Sequence, residues 1–93
     1  MIRRKKYLTP ERLAEKLRSI RLALGLSQNE LIRYLDVELV LQSDISNYEI
    51  GRREPPLVVL LRYARAANIS TDMLIDDEID LPAKLPAKSK RAR

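Results

Sequence analysis

The sequence predicts an all-α fold, a compact five-helix bundle with flexible basic termini. Apolar residues recur every three or four positions through most of the chain, as they do along one side of an amphipathic helix. Residues that favour helix starts and stops flank these stretches, and no stretch shows the alternating pattern of a half-buried strand. With 93 residues, 45% of them hydrophobic, the chain suffices for one domain with one small core.

The first helix is predicted over about residues 10–24. A threonine cap, a proline at the first helical position and an acid in the first turn favour a start at Thr9-Pro10-Glu11. Gly25 ends the helix, because glycine tolerates the left-handed conformation that follows a helix. Between these signals lies a single apolar stripe, formed by Leu13, Leu17, Ile20 and Leu24.

Two shorter helices are predicted next. Ser27 and Glu30 form a capping box that opens a helix over about residues 28–35. The mostly polar stretch 42–50 is predicted to form the third helix. Residues 36–41 lie between the two, and their apolar run is too short to assign to a helix or a strand. Three alternatives stay open for Leu39-Val40-Leu41: these residues pack on the core, extend the third helix backwards, or form a surface for a partner.

A turn at residues 51–54 precedes the fourth predicted helix, over about 56–67. This helix is apolar almost all round, which is typical of a central, buried helix. Ser70 favours the start of a last helix over about 71–76. Three apolar side chains of that helix are expected to pack inward: Met73, Leu74 and Ile75.

The composition leaves little for catalytic chemistry. Because the sequence has no cysteine and no histidine, it lacks thiolates, disulfides, the commonest general base and the commonest zinc ligand. Two glycines leave little room for a glycine-rich phosphate loop. Scattered carboxylates and serines show no pairing of a base with a nucleophile. We therefore predict that the chain is not an enzyme and uses no cofactor and no metal.

The charge is uneven along the chain. The net charge of +5 divides into +6 in residues 1–26, −1 in 27–69, −5 in 70–83 and +5 in 84–93. Basic ends on a small domain favour a polyanionic partner, although solvated tails explain them equally well. Residues 79–93 are expected to be mostly disordered, because their Leu-Pro pairs and basic end cannot pack a core.

No stretch of the sequence favours a membrane location. The longest apolar run covers residues 57–61, far short of the ~20 residues that a membrane span needs. The basic start is followed by Thr9-Pro10-Glu11-Arg12, where a signal peptide has an apolar stretch. We therefore expect a cytoplasmic protein without a membrane partner.

Four stretches occur in an order and spacing that resemble the Xre-type helix-turn-helix family, the phage Cro and cI repressor-like DNA-binding fold. They read LSQ at 26–28, ISNYE at 45–49, GRREPP at 51–56 and LLRYARA at 60–66. The resemblance covers roughly residues 13–75. It implies a lambda-repressor-like helix-turn-helix domain, so we divide the chain into a basic N-terminal arm (1–8), this domain (9–78) and a flexible basic C-terminal tail (79–93).

The third predicted helix carries the residues expected to read DNA bases. The major groove of B-DNA, ~12 Å wide, admits one helix whose exposed polar side chains contact base edges, and Gln and Asn suit paired hydrogen bonds with adenine. With Ile45 and Tyr48 facing inward, the polar side of this helix consists of Gln42, Ser43, Ser46 and Asn47. The resemblance places Gln42, Ser43 and Asn47 at base-reading positions. The alternative is a polar helix that only faces solvent.

The resemblance also implies roles outside this helix. It implies phosphate contacts for Gln28, at the first turn of the second helix, where free amides suit an anion. It implies the same for Arg52 and Arg53, in the loop after the third helix, although either arginine alternatively stays solvated. It further implies an ion pair between Arg21 and Glu49, which joins the first and third helices and which we assign to the architecture.

Two features depart from the family's pattern. The turn between the second and third helices usually holds ~3–4 residues and often a glycine, whereas residues 36–41 number six and contain none. Leu41 stands where the family tends to have a serine or threonine cap. The angle or offset of the third helix is therefore expected to differ, which bears most on the contacts of Gln42.

Taken together, these features predict a sequence-specific regulator of transcription that binds double-stranded DNA. A homodimer is expected, because one short helix reads too few bases for useful specificity. Two copies bound to symmetric half-sites ~34 Å apart would read twice as many. Residues 3–6 lie along phosphates or in a minor groove, or else stay free. The alternative function is a protein-interaction module, such as an antitoxin-like partner whose C-terminal segment 70–93 binds another protein.

Overall fold

The computed structural model describes residues 9–86, which fold into five α-helices without a strand. In chain order the helices are α1 (Leu13–Leu24), α2 (Gln28–Leu35), α3 (Gln42–Glu49), α4 (Leu57–Ala67) and α5 (Asp72–Ile75). The predicted all-α class with five helices is therefore confirmed. The predicted N-terminal arm and residues 87–93 of the predicted tail lie outside the described residues.

The core draws on every helix. Its largest fully buried apolar side chains are Leu17, Ile20 and Leu24 of α1, Leu31 of α2, Ile45 of α3, Tyr63 of α4 and Leu74 of α5. Tyr63 is the largest of them, and its hydroxyl has no hydrogen-bond partner among the described residues. Burial raises the pKa of this hydroxyl, so the side chain stays neutral and behaves as an apolar filler with one unpaired polar atom.

α1 begins at Leu13, later than the predicted start near residue 10, so the prediction of a local cap at Thr9 is wrong. The carboxylate of Asp77 accepts hydrogen bonds from the backbone N–H groups of Glu11 (2.9 Å) and Arg12 (3.0 Å). These bonds lower the pKa of Asp77. A side chain from the other end of the domain thus satisfies the amides that a local cap would otherwise satisfy.

Lys16, a buried residue of α1, also joins α1 to the chain around and after α5. The residue is 2% exposed, and its Nζ donates to the carbonyl oxygens of Met73 (2.8 Å), Asp76 (2.9 Å) and Ile79 (2.7 Å). These three bonds match the three N–H donors of an ammonium group. Desolvation lowers the pKa of Lys16. The chain that leaves α5 is therefore held against α1.

The chain after α5 packs more than the sequence predicted, and α5 packs less. Leu81 and Leu85 are partly buried against the core, so the expectation that residues 79–93 do not pack is wrong for these two. In α5, Leu74 is fully buried but Ile75 is exposed, so the prediction that Ile75 packs inward is also wrong. A helix this short turns few side chains inward, and the carbonyl contacts just after it keep the next residues near the core.

α4, which the sequence predicted to be central and apolar almost all round, has one buried and one exposed side. Its exposed apolar residues are Leu57, Val58 and Leu61, which we call the α4 apolar face. Its buried residues are Val59, Leu60, Tyr63, Ala64 and Ala67. An apolar composition does not distinguish a helix covered by its own chain from one that also presents an apolar surface, so the exposed side was not predictable from it.

Candidate nucleic-acid interface

α3 is anchored by its inner side and leaves its polar side uncovered. Ile45 and Tyr48 are buried in the core, where α3 packs against α1 and α2. On the other side Gln42 and Ser43 are exposed, and Ser46 and Asn47 are half-buried. The side chains of Ser43, Ser46 and Asn47 make no hydrogen bond within residues 9–86, so their donors and acceptors remain available.

A chain of amide contacts fixes the first side chain of α3. Nε2 of Gln42 donates to Oε1 of Gln28 (3.1 Å), and Nε2 of Gln28 donates to Oε1 of Glu49 (3.2 Å). Gln28 lies at the start of α2, so this contact links α2 to both ends of α3. The two glutamines were expected to have separate roles, at base and phosphate; the structure brings their side chains together.

The Arg21–Glu49 ion pair is present and lies behind this chain of amides. Nε and Nη2 of Arg21 donate to the two carboxylate oxygens of Glu49 at 2.7 and 3.0 Å, and Nη1 donates to the carbonyl of Leu26 (2.9 Å). The side chains are 12% and 3% exposed. Hydrogen bonding to Glu49 raises the pKa of Arg21. The pair holds α1 and α3 together beneath the polar side of α3.

The loop after α3 carries the two predicted phosphate-binding arginines. Gly51 has a φ of +78°, a conformation that other residues rarely adopt, and the backbone N–H of Arg52 donates to the carbonyl of Asn47 (2.9 Å). Nη1 of Arg53 lies 3.4 Å from Oδ1 of Asp44 on α3. The side chain of Arg52 is exposed and has no such partner in the described part of the chain. The turn therefore places both arginines at the end of α3.

Asp44 is a functional residue that was not predicted from the sequence. Its Oδ2 accepts a hydrogen bond from the backbone N–H of Leu41 (2.9 Å), while its Oδ1 pairs with Arg53. An acid three residues after an N-cap position is a known helix-start pattern, and this spacing was available in the sequence. The contact between Gln28 and Gln42 had no such signal, because it depends on the path of the intervening loop.

The loop between α2 and α3 decides two of the three alternatives left open for Leu39-Val40-Leu41, core packing and a backward extension of α3. α2 ends at Asp36, which adopts a left-handed conformation (φ 56°), and α3 is not extended backwards. Val37 and Val40 pack against the core, whereas Leu39 is 95% exposed with a φ of 67°. Val37 and Val40 therefore hold the loop against the core, and its other apolar side chains, Leu39 and Leu41, are exposed.

Residues 9–86 contain no group of three or more His, Cys, Asp or Glu side chains arranged to hold a metal ion. Within the same range, no helix has the length and apolar character that crossing a bilayer demands.

Comparison with protein families agrees with the geometry. The helix-turn-helix family profile matches residues 17–74, which is more than half of the chain. The chain belongs to this family, the Xre, Cro and cI type. A search of curated proteins finds no significant match. Membership of the helix-turn-helix family implies DNA binding, and the matched residues include all five helices, apart from the first turn of α1 and the last residue of α5.

Proposed function

We propose that this helix-turn-helix protein is a sequence-specific regulator of transcription, not an enzyme, and that α3 reads the major groove of double-stranded DNA in the cytoplasm. The observation that carries the proposal is the uncovered polar side of α3, with Gln42, Ser43, Ser46 and Asn47 at its surface. Three of these side chains make no hydrogen bond within residues 9–86, and Gln42 makes one that leaves its carbonyl oxygen and one N–H unused, so the helix is suited to contact base edges.

We assign to Gln42 a paired hydrogen bond with an adenine. A glutamine amide has one carbonyl acceptor and two N–H donors. One donor is used by Gln28, which leaves the carbonyl oxygen and the second N–H for another partner. This remaining pair matches N6 and N7 of adenine in the major groove. Because the contact with Gln28 orders the side chain before binding, less conformational entropy is lost when DNA binds.

Phosphate contacts would hold α3 in register. Arg52 is exposed and solvated at the end of α3, and Arg53 is exposed beside Asp44, so both can approach a phosphate from the turn after the helix. Gln28 lies in the first turn of α2, and its side chain already contacts Gln42. We therefore assign the phosphate contact of Gln28 to its backbone N–H, which points outward from a helix start.

We propose that the protein acts as a homodimer and that the α4 apolar face forms its contact. α3 offers about two turns of polar side chains, too few for useful specificity from one copy. The α4 apolar face follows, along the chain, the turn at residues 51–54 that carries Arg52 and Arg53. A symmetric contact through it would cover an apolar patch that the described part of the chain leaves exposed. The alternative of a C-terminal segment that binds another protein loses support, because Leu81 and Leu85 already pack on the core.

Selection of bound sequences from a random duplex pool tests the proposal. We expect a palindromic consensus with two half-sites about one helical turn apart, ~34 Å, and an adenine in each half-site whose identity matters less in a Gln42→Ala variant. Gln42→Ala should unfold in urea close to the wild-type midpoint, since Gln42 is exposed. Failure to enrich any sequence would contradict the proposal, and a consensus without internal symmetry would contradict the homodimer.

A further inference from the structure

Leu41 is an unusual residue for its place in the fold. It is the N-cap of α3, a position that favours Ser, Thr, Asp or Asn because their side-chain oxygens accept a hydrogen bond from the first turn. The side chain of Leu41 makes no such bond and is 64% exposed. Neither helix capping nor core packing therefore accounts for a leucine here, although its neighbour Val40 packs against the core.

The backbone of Leu41 is held firmly at the leading end of α3. Its N–H donates to Oδ2 of Asp44 (2.9 Å), and its carbonyl accepts from the N–H of Asp44 at the same distance. Asp44 in turn pairs with Arg53. Leu41 directly precedes Gln42 and Ser43, and the N-terminal residues of a recognition helix are the ones that contact base edges. Its exposed side chain thus adjoins the polar surface that we propose to meet DNA.

The chemistry of the groove identifies what such a side chain would contact. The C5-methyl group of thymine is the apolar group that base pairs present in the major groove. We propose that Leu41 packs against this methyl group, at a thymine beside the base read by Gln42, and thereby adds specificity through an apolar contact. This inference rests on the proposed function, because it requires that α3 lies in the groove.

Leu39 supplies a matched control in the same loop. It is also an exposed leucine, but it lies two residues before Leu41 and directly follows the exposed acid Glu38. Glu38 has no ion-pair partner among residues 9–86, so the phosphates of DNA repel it, whereas the acid beside Leu41, Asp44, is paired with Arg53. We therefore assign no base contact to Leu39. If the loop were instead a surface for another protein, the two leucines would act together and neither would respond to the methyl groups of DNA.

Thymine-to-uracil substitution in the selected duplex tests the assignment, since it removes one methyl group and leaves every hydrogen-bonding group in place. Binding of the full chain is measured by fluorescence anisotropy for each single substitution, with wild type, Leu41→Ser and Leu39→Ser. For wild type, uracil at one position in each half-site should raise Kd about fourfold per position, the value for one buried methylene-sized group. Leu41→Ser should not distinguish uracil from thymine there, whereas Leu39→Ser should behave as wild type.

The outcomes separate this inference from the proposed function. Leu41→Ser adds a capping oxygen, so its urea midpoint should equal or exceed that of wild type, which excludes misfolding as the cause of a lost methyl effect. The inference is overturned if no thymine methyl matters to wild type, if Leu41→Ser keeps the methyl effect, or if Leu39→Ser loses it. A chain that enriches no duplex at all overturns the proposed function, and this inference with it.

Discussion

Glu49→Gln probes the buried ion pair beneath α3. The carboxylate of Glu49 accepts hydrogen bonds from Arg21 at 2.7 and 3.0 Å and from Gln28 at 3.2 Å. Glutamine has nearly the same shape but no charge, so the variant leaves the guanidinium of Arg21 without a counter-ion. Removal of one partner from a buried pair costs about 3–5 kcal/mol. We expect about 3 kcal/mol, the low end of that range, because Arg21 keeps its bond to Leu26 and is 12% exposed.

Urea unfolding followed by circular dichroism measures this loss. A domain of 93 residues has an unfolding free energy of roughly 5–14 kcal/mol, at about 0.05–0.15 kcal/mol per residue. A loss of about 3 kcal/mol is therefore a large fraction of the total and should lower the urea midpoint by about 1–3 M without a change of slope.

An exposed ion pair provides the control for this experiment. Glu15 lies 3.5 Å from Arg12 with 68% of its side chain exposed, so Glu15→Gln should cost less than about 0.5 kcal/mol. A Glu49→Gln loss no greater than that of Glu15→Gln would refute the reasoning. Replacing both buried partners, by Arg21→Met with Glu49→Leu, should recover most of the stability, because no charge then remains buried.

Four other substitutions test separate parts of the structure. Arg53→Ala should weaken binding to every duplex and reduce the salt slope of log K by about 1, in anisotropy titrations at several salt concentrations. Lys16→Met should lower the unfolding free energy by about 2–4 kcal/mol, because three carbonyl groups lose a charged donor. Tyr63→Phe should raise it by about 1 kcal/mol, because an unpaired buried hydroxyl is removed. The lowered pKa of Asp77 means that its carboxylate stabilises the fold above about pH 4 and that this contribution disappears as the carboxylate is protonated. Asp77→Asn should therefore lose less unfolding free energy than wild type when the pH falls below about 4.

Each of these has its own control or contrary result. Arg65→Ala removes an exposed arginine of α4 and should leave the salt slope unchanged; the same behaviour in Arg53→Ala would rule out its phosphate contact. A Lys16→Met protein as stable as wild type would mean that the three carbonyl contacts add nothing. Lower stability of Tyr63→Phe would indicate a partner for the hydroxyl. Wild-type acid sensitivity in Asp77→Asn would assign the titration to another carboxylate.

The helices were predictable because their signals are local. The apolar stripe of α1 and the capping box of Ser27 and Glu30 lie within a few residues of the structure they form, and both are present. Two of the errors came from contacts between distant parts of the chain. The start of α1 is set by Asp77, more than sixty residues away, and the packing of Leu81 follows from Lys16 holding the chain after α5.

The candidate site divides in the same way. That α3 has a polar side was readable from helical spacing around Ile45 and Tyr48, and the resemblance to the helix-turn-helix family located the Arg21–Glu49 pair. The link from Gln42 to Gln28 was not readable, because it crosses a loop with two left-handed residues whose path the sequence does not specify. Which bases and phosphates are contacted stays a prediction.

The central claim is that the polar side of α3 reads DNA bases, and the binding of an Asn47→Ala variant tests it most directly. Dissociation constants are measured for wild type and variant on the selected duplex and on a duplex of the same composition in scrambled order. We expect a loss of about 1–3 kcal/mol on the selected duplex, with relaxed discrimination at one base pair, and no loss on the scrambled one. An equal loss on both duplexes would contradict the claim.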